Sequence, residues 1–361
     1  MNFKDNFSCI SDSTLLFKQS RVPVFQNKVY PTHSEALNVE FGEVELVQSS
    51  VSGFVFNSKF NESKMNYDNN YQNEQGNSLF FQNHVENVLD LLKSFDVKNK
   101  RIIEIGCGKG VFFEMMLEAG IDCVGFDPTY EGINPKIIKD YFTDKYSEIN
   151  ADVIVMRHTL EHIPQPFSFL HLIGKANAYR GFVFIEVPTF EWIINRNAYW
   201  DIFYEHCNYF TKNSLSAMFE DCTTGNLFNG QYVYLWGDLS KLRTEIPEQN
   251  LVNFNCDIFN EKLNYYKTFV QEKKSSLAVW GAGAKGSTFL NLMDPHGKYV
   301  KYVIDINPIK QSKFIAGVGH TIYSPAILES DPVENILLMN GNYLNEVKNL
   351  TSSIPLNIFN L

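Results

Sequence analysis

The period of the apolar positions changes several times along the chain. Through residues 1–66 the apolar runs LLFKQ, PVFQN, EVELVQ and GFVFN are short and lack helical spacing, which predicts a small module of strands and turns. Residues Met65 to Ser78, MNYDNNYQNEQGNS, are polar and Asn-rich and predict a linker or covering loop, which carries Tyr67 and Tyr71. From Leu79 the stretch FFQNHVENVLDLLKSF takes up helical spacing and leads into the apolar run RIIEIG and a glycine turn. Alternation continues through CVGFD, a helical stretch, DVIVMRH, a helix around FSFLHLIGKA, and FVFIEV, which predicts an α/β fold with a doubly wound parallel sheet. After WGDLS near residue 240, NFNCDIFNEKLNYYKTFVQEKKSS reads as a charged helical connector, and the strand LAVWG opens a second alternating unit. The expected organisation is a small module over 1–66, a central domain over 67–245 and a second Rossmann-like domain over 246–361.

Composition narrows the function classes. A chain of 361 residues with 44% hydrophobic and 14% aromatic content is long enough for two or three domains with proper cores. A net charge of −10 argues against nucleic acid as the main partner, because that contact needs a concentrated basic surface. A local basic pocket for a small phosphate-bearing ligand remains compatible with it. No apolar run reaches the ~18–20 residues that span a bilayer, and the start MNFKDNFSCISDS lacks a signal-peptide core. The expectation is a cytoplasmic protein without a membrane partner. Cys9, Cys107, Cys123, Cys207, Cys222 and Cys256 are scattered, so neither a disulfide framework nor a C-x-x-C metal site is predicted. Oligomeric state is not legible.

The segment RIIEIGCGKGVFFEMMLEAG places Gly106, Gly108 and Gly110 between a strand and a helix, where the backbone must turn sharply and let a ligand approach. Such a turn alone also suits NAD, FAD or phosphate. Three neighbours sharpen it. Glu104 ends the first strand inside the motif; Asp127 in CVGFDP ends the second, where a carboxylate can accept both ribose hydroxyls; and DVIVMRHTLEHI brings Arg157 and His158 to the next strand end. The E-x-G-x-G-x-G arrangement with an acidic second strand end and the LEHI element resembles class I S-adenosylmethionine-dependent methyltransferases. The resemblance implies a Rossmann-like methyltransferase sheet, S-adenosyl-L-methionine as cofactor, and Arg157 and His158 beside its methionine part.

Tyr71 seven residues before Ser78, LEHI inside the core and EH-x-x-YF after it resemble a narrower group, the sugar C-methyltransferases that act on nucleotide-linked keto-deoxysugars. That resemblance covers nearly the whole chain and implies a small-molecule substrate with Tyr71, His162, Glu205 and His206 in functional positions. It also shows departures. The family's Y-H-E-H run begins here with Phe203 and Tyr204, so a tyrosine hydroxyl is lost or moved by one residue to Tyr204. The family's N-terminal zinc module has C-x-x-C twice, whereas this chain has Cys9 with Asp12 and Ser49 with Ser52. One thiolate in four does not hold a structural zinc, so the module's fold is expected without metal.

The stretch WDIFYEHCNYFT sets Glu205 and His206 among Trp200, Phe203, Tyr204, Tyr209 and Phe210. A lone histidine among aromatics is usually a hydrogen-bonded core residue. Carbon methylation gives another reason: a carbon beside a ketone needs a base, a donor to the developing enolate oxygen, and a dry site. His206 suits the base, oriented by Glu205 or another carboxylate, and His162, Tyr71 or Tyr204 suits the donor. Trp192 and Trp200 read as core or as walls of a substrate pocket.

The run LAVWGAGAKGSTFLNLM places Gly281, Gly283 and Gly286 in G-x-G-x-x-G register, with Asp305 at the spacing of a ribose-binding acid. An NAD-dependent enzyme is therefore an alternative. The sugar C-methyltransferase resemblance instead implies a domain that closes the substrate site, with Lys285 and Lys310 as contacts to a pyrophosphate. Further alternatives are an O- or N-methyltransferase on a sugar or small metabolite, which needs only a mild base, and a non-catalytic nucleotide-binding or assembly protein.

Overall fold

The computed structural model describes residues 7, 12–65, 71 and 76–361. Cys9 and Tyr67 lie outside the described residues.

The central domain is a seven-stranded sheet in the order Cys222–Leu227, Tyr232–Asp238, Phe182–Pro188, Val153–Arg157, Arg101–Ile105, Asp122–Phe126, Ile137–Ile138. From Val153–Arg157 outward to Ile137–Ile138, and between Val153–Arg157 and Phe182–Pro188, all pairs are parallel. Tyr232–Asp238 enters antiparallel against Phe182–Pro188. Apolar runs such as Ile102, Ile103 and Ile105 are buried on both faces, which is the condition of a parallel sheet covered by helices. Helix Leu79–Ser94 covers one face with Val85, Val88, Leu89 and Leu92, and starts at Ser78, whose hydroxyl accepts the Phe81 amide. The chain leaves Arg101–Ile105 to one side and returns to Val153–Arg157 on the other. That switch in strand order opens a crevice at the strand C-termini, where open α/β sheets bind ligands.

The C-terminal domain repeats the logic with five parallel strands ordered Ile322–Tyr323, Tyr302–Ile304, Leu277–Trp280, Asn335–Leu338, Asn357–Asn360. The expected connector is the helix Cys256–Lys273, capped by Asn255.

The N-terminal part is a sheet of Ser13–Pro23, Phe41–Ser49 and Val55–Asn57, and its fourth strand, Asn208–Tyr209, comes from the central domain. A second pair of strands ties Val29–Tyr30 to Phe314–Ile315 of the C-terminal domain. The module is therefore stitched to both other parts rather than hung from a linker. At the expected zinc positions the Ser52 hydroxyl donates to the Phe7 carbonyl at 2.6 Å, and Ser49 caps the turn through the Ser52 amide. Beneath it Phe7 stacks on Phe54 at 4.0 Å, with Phe210 and Phe167 beside it, so apolar burial holds this corner together.

Two local expectations differ from the structure. Residues between Asp122–Phe126 and Val153–Arg157 form turns and the short strand Ile137–Ile138, not a helix; Pro128, Gly132 and Pro135 interrupt any helical start. Of PVFQN only Pro23 is in a strand, as the end of Ser13–Pro23, and the next strand is Val29–Tyr30, because residues 24–27 turn inward to the site described below. Among the described residues no helix is long and apolar enough to cross a membrane.

Candidate active site

The first glycine turn is shaped by positive φ angles at Gly106, Gly108 and Gly110, of 78°, 55° and 84°. A side chain at Gly106 would collide with Thr159, whereas a Cβ on Gly108 would project into open space, as a cradle for an approaching ligand requires. Asp127 braces this turn: one carboxylate oxygen accepts the Gly108 amide at 2.8 Å, and the other accepts the amide and hydroxyl of Thr129. Glu104, Gly106 and Gly108 line a cavity of about 720 Å³; Gly110 and Asp127 are not among the described residues on its wall.

Buried polar atoms without partners mark the same end of the cavity: Glu104 Oε2, Arg157 Nη2 and His158 Nε2. Burial raises the Glu104 carboxyl to about 7, against the pull of Arg157. Arg157 lies over the Phe112 ring and pairs through Nε with Glu186 at 2.6 Å. Burial alone would raise Glu186, but Arg157, His84 and His158 outweigh it and hold the carboxyl well below its ordinary range. An exposed glycine cradle, a carboxyl seeking a cation and a guanidinium seeking an anion fit a zwitterionic amino-acid group such as the methionine part of S-adenosylmethionine.

The other end of the cavity is built from four chain segments. Residues 157–162 leave the strand Val153–Arg157 through His158, with φ of 49°, and deliver Glu161 and His162 on a short 3-10 turn. His162 Nδ1 bonds the Glu205 carbonyl at 2.8 Å. A carbonyl only accepts, so Nδ1 carries a hydrogen and Nε2 is the ring nitrogen not engaged by it. His206 packs its ring 4.9 Å from His162 and 4.8 Å from Phe203. Burial, then the His162 and His158 charges, hold its pKa well below the ordinary value, so the ring is a neutral imidazole. Tyr71 donates to Glu205 Oε2 at 2.6 Å. Glu205 Oε1 accepts the amides of Gln26 and Asn27, which is why residues 24–27 leave the strand pattern. Burial raises the Glu205 carboxyl, opposed by Tyr71 and those amides.

Tyr71, His162 and His206 thus meet on one wall, but three expected residues stand elsewhere. Glu205 does not orient His206: its carboxylate is committed to Tyr71 and the backbone at 26–27. Tyr204 points away into the N-terminal module, where its hydroxyl accepts the Asn61 amide and its ring packs on Phe60 and Gly42. Residues 204–205 form a bend, and Phe203 takes the cavity side, its ring 4.8 Å from His206. Trp200 is 2% exposed in the core against Tyr199 and Tyr266, outside the cavity. Trp192 takes that wall position, donating from Nε1 to Asp201.

Lys285 and Lys310 both line the cavity and are mostly buried. Lys285 pairs with Asp201 at 2.9 Å, and Lys310 lies 3.9 Å from Asp305. At a G-x-G-x-x-G turn a phosphate is bound by the helix N-terminus. Here Asn27 Oδ1 already accepts the Ala284 amide at 2.9 Å, so the N-terminal segment takes one of the donors a phosphate would use.

Residues that sequence reasoning passed over are Glu161, Asn27 and Asp201. Glu161 sits inside the LEHI element, and an acidic residue directly before His162 near a strand exit was the available signal. Asn27 carries none, because its partner lies 257 residues away.

Residues 79–222 match a family model described as a methyltransferase domain, and residues 249–355 match a C-methyltransferase C-terminal domain. The chain is 23% identical to the C-methyltransferase NovU of Streptomyces niveus over 68% of this chain and 67% of that one. A ubiquinone biosynthesis O-methyltransferase of Hydrogenovibrio crunogenus is 28% identical over 30% of this chain and 49% of its own, about half its length. A solved S-adenosylmethionine-dependent methyltransferase from Archaeoglobus fulgidus is 18% identical over 44% of this chain and 99% of its own, at a TM-score of 0.34, too loose a likeness to bear on the site. The chain belongs to the S-adenosylmethionine-dependent methyltransferases and couples that domain to a C-methyltransferase C-terminal domain.

Proposed function

We propose that the chain transfers a methyl group from S-adenosylmethionine to a carbon beside the ketone of a nucleotide-linked deoxysugar. The observation that carries this reading is one cavity running from the first glycine turn, past His206, His162 and Tyr71, to Lys285 and Lys310 of the C-terminal domain. Its ends differ in chemistry. The glycine end suits the cofactor, and the lysine end suits a diphosphate, whose charge would draw the lysines from Asp201 and Asp305. Between them lies an aromatic-walled segment with a neutral imidazole.

S-adenosylmethionine supplies an activated methyl group when bound. The chain must generate the nucleophile: His206 takes the proton from the carbon, and the released electron pair moves onto the ketone oxygen as the enolate. His162, whose Nδ1 is held by the Glu205 carbonyl, can meet the enolate only through a protonated Nε2; Tyr71, which donates to Glu205, is the hydroxyl of this wall and reaches the enolate by turning its O–H from Glu205. Phe203 and Trp192 keep water away.

O-methylation is the second reading, favoured by Phe203 standing where a hydroxyl was expected and by the O-methyltransferase relatives. An NAD-dependent reaction is disfavoured by Asn27 on the second glycine turn. Proton exchange separates carbon from oxygen chemistry. In D₂O with S-adenosylhomocysteine in place of the methyl donor, the protein is expected to wash deuterium into the carbon next to the ketone of a nucleotide-linked keto-deoxysugar. Absence of exchange with a bound sugar would remove the enolate mechanism.

A further inference from the structure

The proposed base has a difficulty that its own surroundings create. An imidazole half-buried on this cavity wall among other imidazoles, with its pKa held down, is a weak base, because the imidazolium it forms is poorly solvated there. Glu205 does not relieve this, being bound elsewhere.

A second carboxylate stands at the same place. Glu161 is 1% exposed and lines the cavity, yet neither carboxylate oxygen has a hydrogen-bond partner. His158 Nδ1 is 3.5 Å from Oε1, without hydrogen-bond alignment. One ligating atom each of Glu161, His162 and His206 lie within 4.8 Å of one another. A buried carboxylate left unsatisfied is costly, and such a group is retained where another state gives it a partner. Its main chain is fixed independently: the Glu161 carbonyl accepts the Cys207 thiol, so the loops carrying Glu161 and His206 are joined beside the side chains in question.

We propose that Glu161 is the counter-charge of His206, drawn to the imidazolium when His206 takes the substrate proton. This rests on the reading of His206 as base. Glu161 acts through His206 and is a positioning residue: the carbon–hydrogen pair goes to the ketone oxygen, the proton to imidazole nitrogen, and the carboxylate neutralises the new charge. The enolate pair then forms the carbon–carbon bond to the methyl group, the methyl–sulfur pair stays on sulfur, and His206 releases the proton to solvent. The titratable groups facing His206 are Glu161, His158 and His162 from the loop after Val153–Arg157, and Tyr209 from its own segment, its ring 6.5 Å away.

The test uses the full chain with ¹⁵N-labelled histidine, comparing ring titration of His206 in wild type, Glu161→Gln and Glu161→Asp. The expected result is a His206 pKa lower by about one unit or more in Glu161→Gln, with Glu161→Asp between the two. The shift requires no substrate, so it stands or falls separately from the keto-sugar reading. In turnover, Glu161→Gln is expected to lose about 10²-fold in kcat at unchanged KM, with the acid limb of the pH profile moving down in step. An unmoved His206 titration, or a fall in kcat with the acid limb fixed, would overturn the proposal. So would loss of wild-type activity on chelation with recovery on adding Zn²⁺ or Mn²⁺, which would make the three side chains cation ligands.

Discussion

Replacing His206 with Asn is expected to reduce turnover by about 10³-fold while leaving S-adenosylmethionine affinity unchanged. Asn keeps a polar side chain of similar reach but takes up no proton at neutral pH, so only the base is removed. His206 lies on the cavity wall with His162 and Phe203, apart from the glycine turn, and its loss leaves the cofactor end intact. The same burial gives a stability signature. A histidine whose folded pKa lies below its unfolded value of 6.5 binds fewer protons folded than unfolded, so stability falls as pH drops below about 6.5 and is fully present above it. The Asn variant should lose that part of the acid sensitivity, read as a flatter Tm between pH 7 and pH 5. A variant with near-wild-type rate would end the assignment of His206 as base.

Asp127→Ala is expected to weaken S-adenosylmethionine binding by about 100-fold or more. Three donors converge on this carboxylate, from Gly108 and Thr129, so its removal loosens the turn on which the proposed cofactor site is built. A hydrogen bond to a charged group contributes about 1.5–3 kcal/mol, and about 1.4 kcal/mol is tenfold in affinity. Asp127→Asn retains one acceptor and should fall between the two. Calorimetric titration with S-adenosylhomocysteine reads both; unchanged affinity in Asp127→Ala would remove Asp127 from the cofactor site.

The residues that were legible in the sequence are those whose role is local. Gly106 and Gly108 sit in a strand–turn–helix whose geometry demands positive φ, and the alternating apolar runs carried both parallel sheets. Side-chain direction was not legible. Phe203 and Tyr204 differ by one position, and which faces the cavity depends on the N-terminal module packing Gly42 and Phe60 against Tyr204. Trp200 is drawn into the core by Tyr266, on the connector helix. The partners of Glu205 lie 134 to 179 residues away, so no local pattern could show that Tyr71 and the 26–27 amides hold it. Pro128, Gly132 and Pro135 were visible, and they should have outweighed the expectation of a helix there.

The central claim, methylation at carbon, is tested most directly by offering the protein S-adenosylmethionine with a ¹³C methyl group and a panel of nucleotide-linked keto-deoxysugars, then reading the carbon spectrum of the product. The account predicts a new signal in the C-methyl region, coupled to a ring carbon and absent with His206→Asn. A signal in the O-methyl or N-methyl region would contradict it.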